Sequence, residues 1–356
     1  MLLHNELYTE DLLTIVRLDI PWSRLSNRSI LITGARGMIG SFLVDTLVLR
    51  NELYNEGIKV YALGRNEEQA KTRFADYIKE SKITFINHDV NNPIPSLGNI
   101  DYIVHAASNT HPLAYVNDPI GTITTNVLGT YNLLNYAIAN NAKRFMLLSS
   151  VEIYGENRGD TEYFDESYCG YIDCNTLRAG YPESKRLGEA LCNAFAEMYK
   201  IETVIVRLSR VYGPTMLPDD SKAVAQFITN AIQEKDVVVK SSGNQLFSYC
   251  YVADAVSGLL TVLLSGQSKE AYNVAGLESD VALRTLAEVI ASIGKVRTKF
   301  EPPDEKEQRG YSQATKALLD ISKVKSLGWE PKYTLEEGIK RTYEIMRTLS
   351  YGSQRH

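Results

Sequence analysis

The sequence predicts an α/β protein, a doubly wound parallel sheet followed by a smaller C-terminal lobe. Three observations carry that expectation. Short apolar runs at 29–33, 58–63, 83–86, 101–105, 144–149 and 202–208 alternate with longer stretches of helical apolar spacing, such as 39–51, 119–140 and 181–199. The alternation breaks after residue 209, where Gly213, Pro214, Pro218, Asp219 and Asp220 interrupt it. Three glycines, Gly34, Gly37 and Gly40, separate the first run from its helix. The expected division is a helical extension over 1–28 laid on the body, a main domain over 29–209 and a smaller lobe over 210–356.

Composition narrows the possibilities. The 356 residues are 44% hydrophobic and 23% charged, the balance of a folded chain rather than a disordered one. A net charge of −5 argues against nucleic acid held on a basic surface. Cys169, Cys174, Cys192 and Cys250 have no metal-type spacing and read as reduced thiols. No matching ligand set surrounds His105 or His111, so no metal is expected. The N-terminus lacks an apolar core of signal length, and no run reaches the ~18 apolar residues of a membrane helix. A soluble cytoplasmic protein without a membrane partner is the expectation.

Glycine permits positive φ and lets an anionic group approach the backbone, while the N–H groups opening the next helix face that group. The loop "GARGMIG" therefore reads as a phosphate cradle made by Gly34, Gly37, Met38, Ile39 and Gly40. A strand, a glycine bend and a helix in this order mark a Rossmann-type dinucleotide-binding domain over 29–209. The spacing is G-x-x-G-x-x-G rather than the commoner G-x-G-x-x-G, and a tight structural turn is the competing reading. The second strand ends "VYALGRNEE". Where an NAD site places an acid for the ribose hydroxyl, this chain has Gly64 and then Arg65, and Arg36 points at the same ribose. Two arginines and no acid favour NADP over NAD.

Tyr181 and Lys185 lie four apart in "RAGYPESKRLGEALC", hence on one helix face. A nearby ammonium stabilises phenolate, so Tyr181 can exchange a proton with a sugar hydroxyl, and Lys185 can bind the nicotinamide ribose. Ser150, ending the strand "RFMLLSS", would share the hydrogen bond to the reacting oxygen.

Together these motifs resemble the extended short-chain dehydrogenase/reductase family, the nucleotide-sugar epimerases, dehydratases and decarboxylases. The resemblance spans roughly residues 28–345. It rests on Thr33 with the glycine loop, "DV" at 89–90, "HAAS" at 105–108, "NVLGTYNLL" at 126–134, Ser150, Tyr181, Lys185, "YGP" at 212–214 and "YVADAV" at 251–256. The segments "HAASNTHPLAYVNDPIGT" and "SSVEIYG" are similar to those of UDP-glucuronate decarboxylases.

The resemblance implies a cofactor lying along Asp89, Val90, Ala106, Ala107 and Ser108, with Asn126 beside it. It implies a nucleotide-diphosphate sugar meeting Ser108, Asn109, Glu152, Arg178, Arg210 and Lys222, the last three as cations, and Glu152 as substrate acid/base or aligner. The reaction implied is transient oxidation: Tyr181 takes the C4 hydroxyl proton while the C4 hydride leaves for nicotinamide. The 4-keto sugar then permits decarboxylation, elimination or re-addition of hydride. A homodimer through a four-helix bundle of 119–140 and 181–199 is also implied. An NADPH-dependent reductase of a 4-keto nucleotide sugar is the alternative, and a catalytically idle relative the third possibility.

Departures stand out beside these matches. The decarboxylases resembled have an aspartate at the Gly64 position, and the thymidine-type dehydratases an Asp-Glu pair where this chain has Val151-Glu152. At Phe247 the family has an arginine that binds diphosphate and, in decarboxylases, the reacting sugar. At Arg210 the family has asparagine. Arg210 is expected to have taken over the missing charge, with Lys222 as second candidate; an ordinary surface ion pair and simple packing are the plainer readings of Arg210 and Phe247.

Overall fold

Each of the six apolar runs becomes a strand. In the computed structural model, which describes residues 2–110, 112–302 and 314–353, they are β1 (Ser29–Thr33), β2 (Lys59–Gly64), β3 (Ile83–Asn87), β4 (Tyr102–His105), β5 (Arg144–Ser150) and β6 (Glu202–Leu208). They pair in parallel in the order β3, β2, β1, β4, β5, β6. β1, "SILIT", is buried at all five positions, as a parallel strand covered on both faces must be. The strand order reverses between β1 and β4, and ligands of such sheets bind in the crevice beyond the strand ends at that reversal. Register brings Thr33 beside His105 and Ser150 beside Leu208 at this same edge.

The covering helices are α1 (Glu6–Val16), α2 (Met38–Tyr54), α3 (Glu67–Arg73), α4 (Ala75–Lys79), α5 (Pro112–Asn117), α6 (Pro119–Ala139) and α7 (Gly180–Tyr199). α6 opens with Asp118 accepting from Gly121 N at 2.9 Å and Pro119 in the first turn. Leu133, Leu134 and Ala137 of α6 and Cys192 and Phe195 of α7 are buried together under β4 and β5.

After β7 (Arg210–Tyr212) come α8 (Ala223–Ile232), β8 (Val237–Val239) and β9 (Leu246–Tyr251). The next two elements are α9 (Val252–Ser265) and β10 (Glu270–Val274), and they do not stay in the second lobe. β10 pairs in parallel with β6 as the seventh strand of the main sheet. α9 is buried from Val252 through Leu264, so it has no polar face to show to solvent. The cut expected at 209/210 is thus interleaved in space: residues 252–274 complete the main sheet. The second lobe is built from β7, β9, β11 (Asp280–Ala282) and β13 (Lys316–Ala317), with β8 paired to β12 (Thr298–Phe300). α10 (Leu283–Gly294), α11 (Ser322–Lys325) and α12 (Leu335–Ser353) complete it.

The N-terminal extension is a tie between the two parts. Tyr8 of α1 donates to Asp45 of α2, which also accepts from Arg73 of α3. One turn on, the buried carboxylate of Asp11 accepts from Tyr251 of β9 and from Arg341 Nε of α12 at 2.7 Å.

Candidate active site

A cleft of about 800 Å³ runs from the glycine loop to the second lobe. At its first end the shape is set by backbone. Gly34 has φ +64°, and a Cβ there would lie 2.7 Å from Ala106 O and Ala107 N. A Cβ on Gly40 would lie 2.3 Å from Gly34 O. Only glycine fits either place. Gly37 precedes α2 in extended conformation and makes no side-chain cap, so the opening N–H groups of α2 are left for an anion. The cradle therefore fits a dinucleotide diphosphate by the absence of the side chains that would fill it.

Thr33 secures this floor. Its hydroxyl accepts from Ala107 N at 3.2 Å and is hydrogen-bonded to His105 Nδ1 at 2.8 Å. Burial, with the charge of Lys185, pushes His105 down to about 3, so its imidazole is neutral. His111 lies outside the described residues; among the described residues no cluster of three His, Cys, Asp or Glu could hold a metal.

Arg36, Met38, Ile39, Arg65, Asp89, Val90, Ala106, Ala107 and Ser108 all line this end with the three glycines. Arg65 is more than half exposed and reaches Asp89 only at 4.0 Å. Asn126 does not line the cleft. It is buried between α6 and α7, where its Nδ2 donates to Ser184 Oγ at 2.9 Å. The geometry corrects its role from a cofactor neighbour to a brace under the catalytic helix.

Further along, Ser150 ends β5 while Tyr181 and Lys185 occupy the first turns of α7. Burial pushes the Tyr181 phenol up to about 12; its hydrogen bond with Ser150 and the charge of Arg178 oppose that rise, and Glu152 adds to it. Lys185 follows Tyr181 one turn later on the same helix. Its Nζ donates to Leu148 O at 2.8 Å and stands 6.0 Å from the Tyr181 ring centroid. Burial lowers Lys185 to about 8, against the opposing charge of Glu189.

The far end of the cleft is built from side chains of several elements. Ser150 Oγ caps the short turn Val151–Tyr154 by accepting from Glu152 N at 3.3 Å. Arg186 pins that turn by donating to Ile153 O at 2.7 Å and Gly170 O at 2.8 Å. Glu152 is thereby held between two guanidinium groups, Arg178 at 2.7 Å and Arg210 at 3.6 Å. Arg178 Nε and its second terminal nitrogen are buried without a hydrogen-bond partner, and its guanidinium lies 4.7 Å above the Tyr115 ring. Tyr115 in turn stacks on Tyr181, ring centroids 4.9 Å apart.

Arg210 lies flat on Phe247, 3.5 Å from the ring centroid. β7 and β9 bring them together by pairing Arg210 with Tyr249. Ser108, Asn109 and Lys222 also line the cleft. Lys222 is paired to Asp220 at 2.7 Å, and Asn109 donates to Thr122 at 3.2 Å. Sequence reading missed Tyr115; an aromatic in "HPLAYVNDP", between "HAAS" and α6, was the available signal.

Comparison with known proteins now has a site to refer to. Residues 30–275 match the model of the NAD dependent epimerase/dehydratase family. The chain belongs to that family. UDP-glucuronic acid decarboxylase 6 of Arabidopsis thaliana is 34% identical over 90% of either chain. UDP-glucuronic acid decarboxylase 1 of Xenopus tropicalis is 31% identical over 91% of this chain and 73% of its own. Among solved structures, UDP-glucose 4-epimerase of Thermotoga maritima with UDP-glucose superposes with TM-score 0.77 at 26% identity, covering 90% of this chain and 99% of that one. This family member is thus an enzyme of the epimerase/dehydratase/decarboxylase type that modifies nucleotide sugars. No helix among the described residues is long and apolar enough to cross a membrane.

Proposed function

We propose that the protein is a cytoplasmic NAD(P)-dependent decarboxylase of a nucleotide-diphosphate uronic acid, working through transient oxidation at sugar C4. The observation that carries this reading is the pair of guanidinium groups, Arg178 and Arg210, on either side of Glu152, with Arg178 also 5.9 Å from the Tyr181 ring centroid. Buried arginine donors without partners favour a planar anion, and a C6 carboxylate is one. The likeness to UDP-glucuronic acid decarboxylases supports the same choice.

Bound along the glycine loop, a nicotinamide would supply an acceptor for the C4 hydride. The chain's own residues do the rest. Tyr181, hydrogen-bonded to Ser150, takes the C4 hydroxyl proton as its phenolate, which burial disfavours and the charge of Arg178 favours. Arg178 and Arg210 orient the carboxylate, and Glu152 fixes both arginines. With a ketone at C4, the C5–C6 bond breaks; its electron pair passes to C5 and the ketone oxygen, and carbon dioxide leaves. A proton from solvent reaches C5, hydride returns to C4, and Tyr181 gives its proton back to the C4 oxygen.

Arg36 and Arg65 at the ribose end support NADP. That pair also favours the second reading, an NADPH-dependent reductase of a 4-keto nucleotide sugar. Incubation with a panel of nucleotide sugars, read by mass, separates the readings. Loss of carbon dioxide is expected; loss of water, gain of two hydrogens or an unchanged mass with inverted C4 would replace it. A homodimer belongs to this proposal. Ile120, Leu128 and Tyr131 of α6 and Leu187, Met198 and Tyr199 of α7 are exposed, Ile120 at 75% and Met198 at 72%. Two such helix pairs from two copies would cover one another as a four-helix bundle.

A further inference from the structure

Behind Lys185 lies a buried ionic cluster that the proposed chemistry does not use. Glu189 follows Lys185 by four residues and so shares its face of α7. Its carboxylate is 8% exposed. One oxygen accepts from Ser149 Oγ at 2.5 Å and from Arg207 Nε at 3.1 Å; the other accepts from the Arg207 terminal nitrogen at 2.7 Å. Ser149 and Arg207 are register partners on β5 and β6, so the sheet itself presents both donors to the helix.

The cluster reaches further. Arg207 donates to Glu166 O at 2.7 Å and to the Tyr154 hydroxyl at 3.0 Å. Tyr154 donates to Asn273 of β10 at 2.6 Å, and Asn273 donates to Phe164 O and Asp320 O. A carboxylate and a guanidinium buried together seldom stabilise a fold more than apolar residues of the same volume. Holding α7 against the sheet is therefore a weak reason for their presence.

We propose that Glu189, anchored by Ser149 and Arg207, is a positioning residue that holds Lys185 as an ammonium at the reacting end of the cleft. The groups facing Lys185 leave that task to Glu189. His105 from β4 is neutral, the Cys192 thiol is held protonated by burial, and the Tyr181 phenol is neutral. Leu148 of β5 offers only a carbonyl. Glu189 is the carboxylate whose charge opposes the desolvation of Lys185. The sign follows: removing that charge lowers the pH at which Lys185 loses its proton.

This inference rests on Lys185 belonging to the C4 oxidation site, and its test separates the two ideas. In protein carrying [15N]lysine, the Lys185 ammonium is titrated by NMR in wild type and in Glu189→Gln. The half-titration point is expected to fall from about 8 to about pH 7. Reduction of bound cofactor by nucleotide sugar should slow ~5-fold at pH 8 in parallel, and Glu189→Asp should restore the wild-type profile.

Should Glu189→Gln not fold, the double variant Glu189→Leu, Arg207→Leu replaces both charges by apolar groups and is expected to show a fall in the same direction, smaller because the Arg207 cation goes with the carboxylate. A Lys185 titration unmoved in the folded variant overturns the proposal. If wild type reduces cofactor with no nucleotide sugar, the functional reading fails, while the NMR comparison still decides the role of Glu189.

Discussion

The two ends of the cleft are built by different means. At the cofactor end the backbone does the work: Gly34 at φ +64°, Gly40 against Gly34 O, and the bare start of α2. At the sugar end, Glu152, Arg178, Arg210, Phe247 and Tyr115 come from five separate segments and meet only through side chains. A backbone cradle tolerates no substitution because no side chain fits. A side-chain cluster can exchange its parts provided the charge still arrives at the same place. Arg210 lying on Phe247 is such an arrangement: the cation sits on β7 and the aromatic platform on β9.

That contrast can be broken at its joint first. Tyr181 stands where the two ends meet, and Tyr181→Phe should cost ~10²–10⁴ in the rate of cofactor reduction. Cofactor affinity should be unchanged in a binding titration. A rate within a few-fold of wild type would remove Tyr181 from the chemistry.

At the backbone end, Gly34→Ala forces a side chain into positive φ and against Ala106 O. Strain of ~1–3 kcal/mol should weaken NAD(P) binding by roughly 10- to 100-fold, with the sugar-end residues untouched. Calorimetric titration with cofactor measures it; equal affinity in the variant would mean that the loop does not carry the diphosphate.

At the side-chain end, Arg210→Ala should raise the Kd for nucleotide sugar at least ~10-fold, the worth of one charge-assisted bond. Cofactor affinity should stay as in wild type. Phe247→Arg in that background should recover part of the loss, because β7 and β9 place both positions over the same space. Unaltered ligand affinity in Arg210→Ala would make the stacked pair ordinary packing.

The smallest effect is expected where the cofactor end does use side chains. Arg36→Ala with Arg65→Ala should weaken NADP(H) more than NAD(H), the half-buried Arg36 and the exposed Arg65 each contributing up to ~1.5 kcal/mol. Equal binding of NAD and NADP by wild type would dispose of the preference.

Much of this molecule was legible in its sequence because local physics fixed it. Short apolar runs and period-3.6 apolar patterns located six of the seven strands of the main sheet and the helices α2, α6 and α7 to within a few residues. The glycine loop was legible for a related reason: positive φ and close backbone approach leave glycine as the only choice, so the residue type states the geometry. Tyr181 and Lys185 share a helix face by spacing alone.

Tertiary structure decided what spacing cannot carry. Lys185 turns its ammonium to Leu148 O, and Arg178, three residues before Tyr181, brings its guanidinium 5.9 Å from the Tyr181 ring centroid. Asn126 serves Ser184 instead of the cleft. β10 returns to the main sheet although residues 210–251 of the second lobe intervene. Arg210 finds Phe247 only through the pairing of β7 with β9, and Glu189 finds Arg207 only through the pairing of β5 with β6. Long-range pairing is written in no local pattern, because a strand's partner is chosen by the surface that the whole chain has to bury.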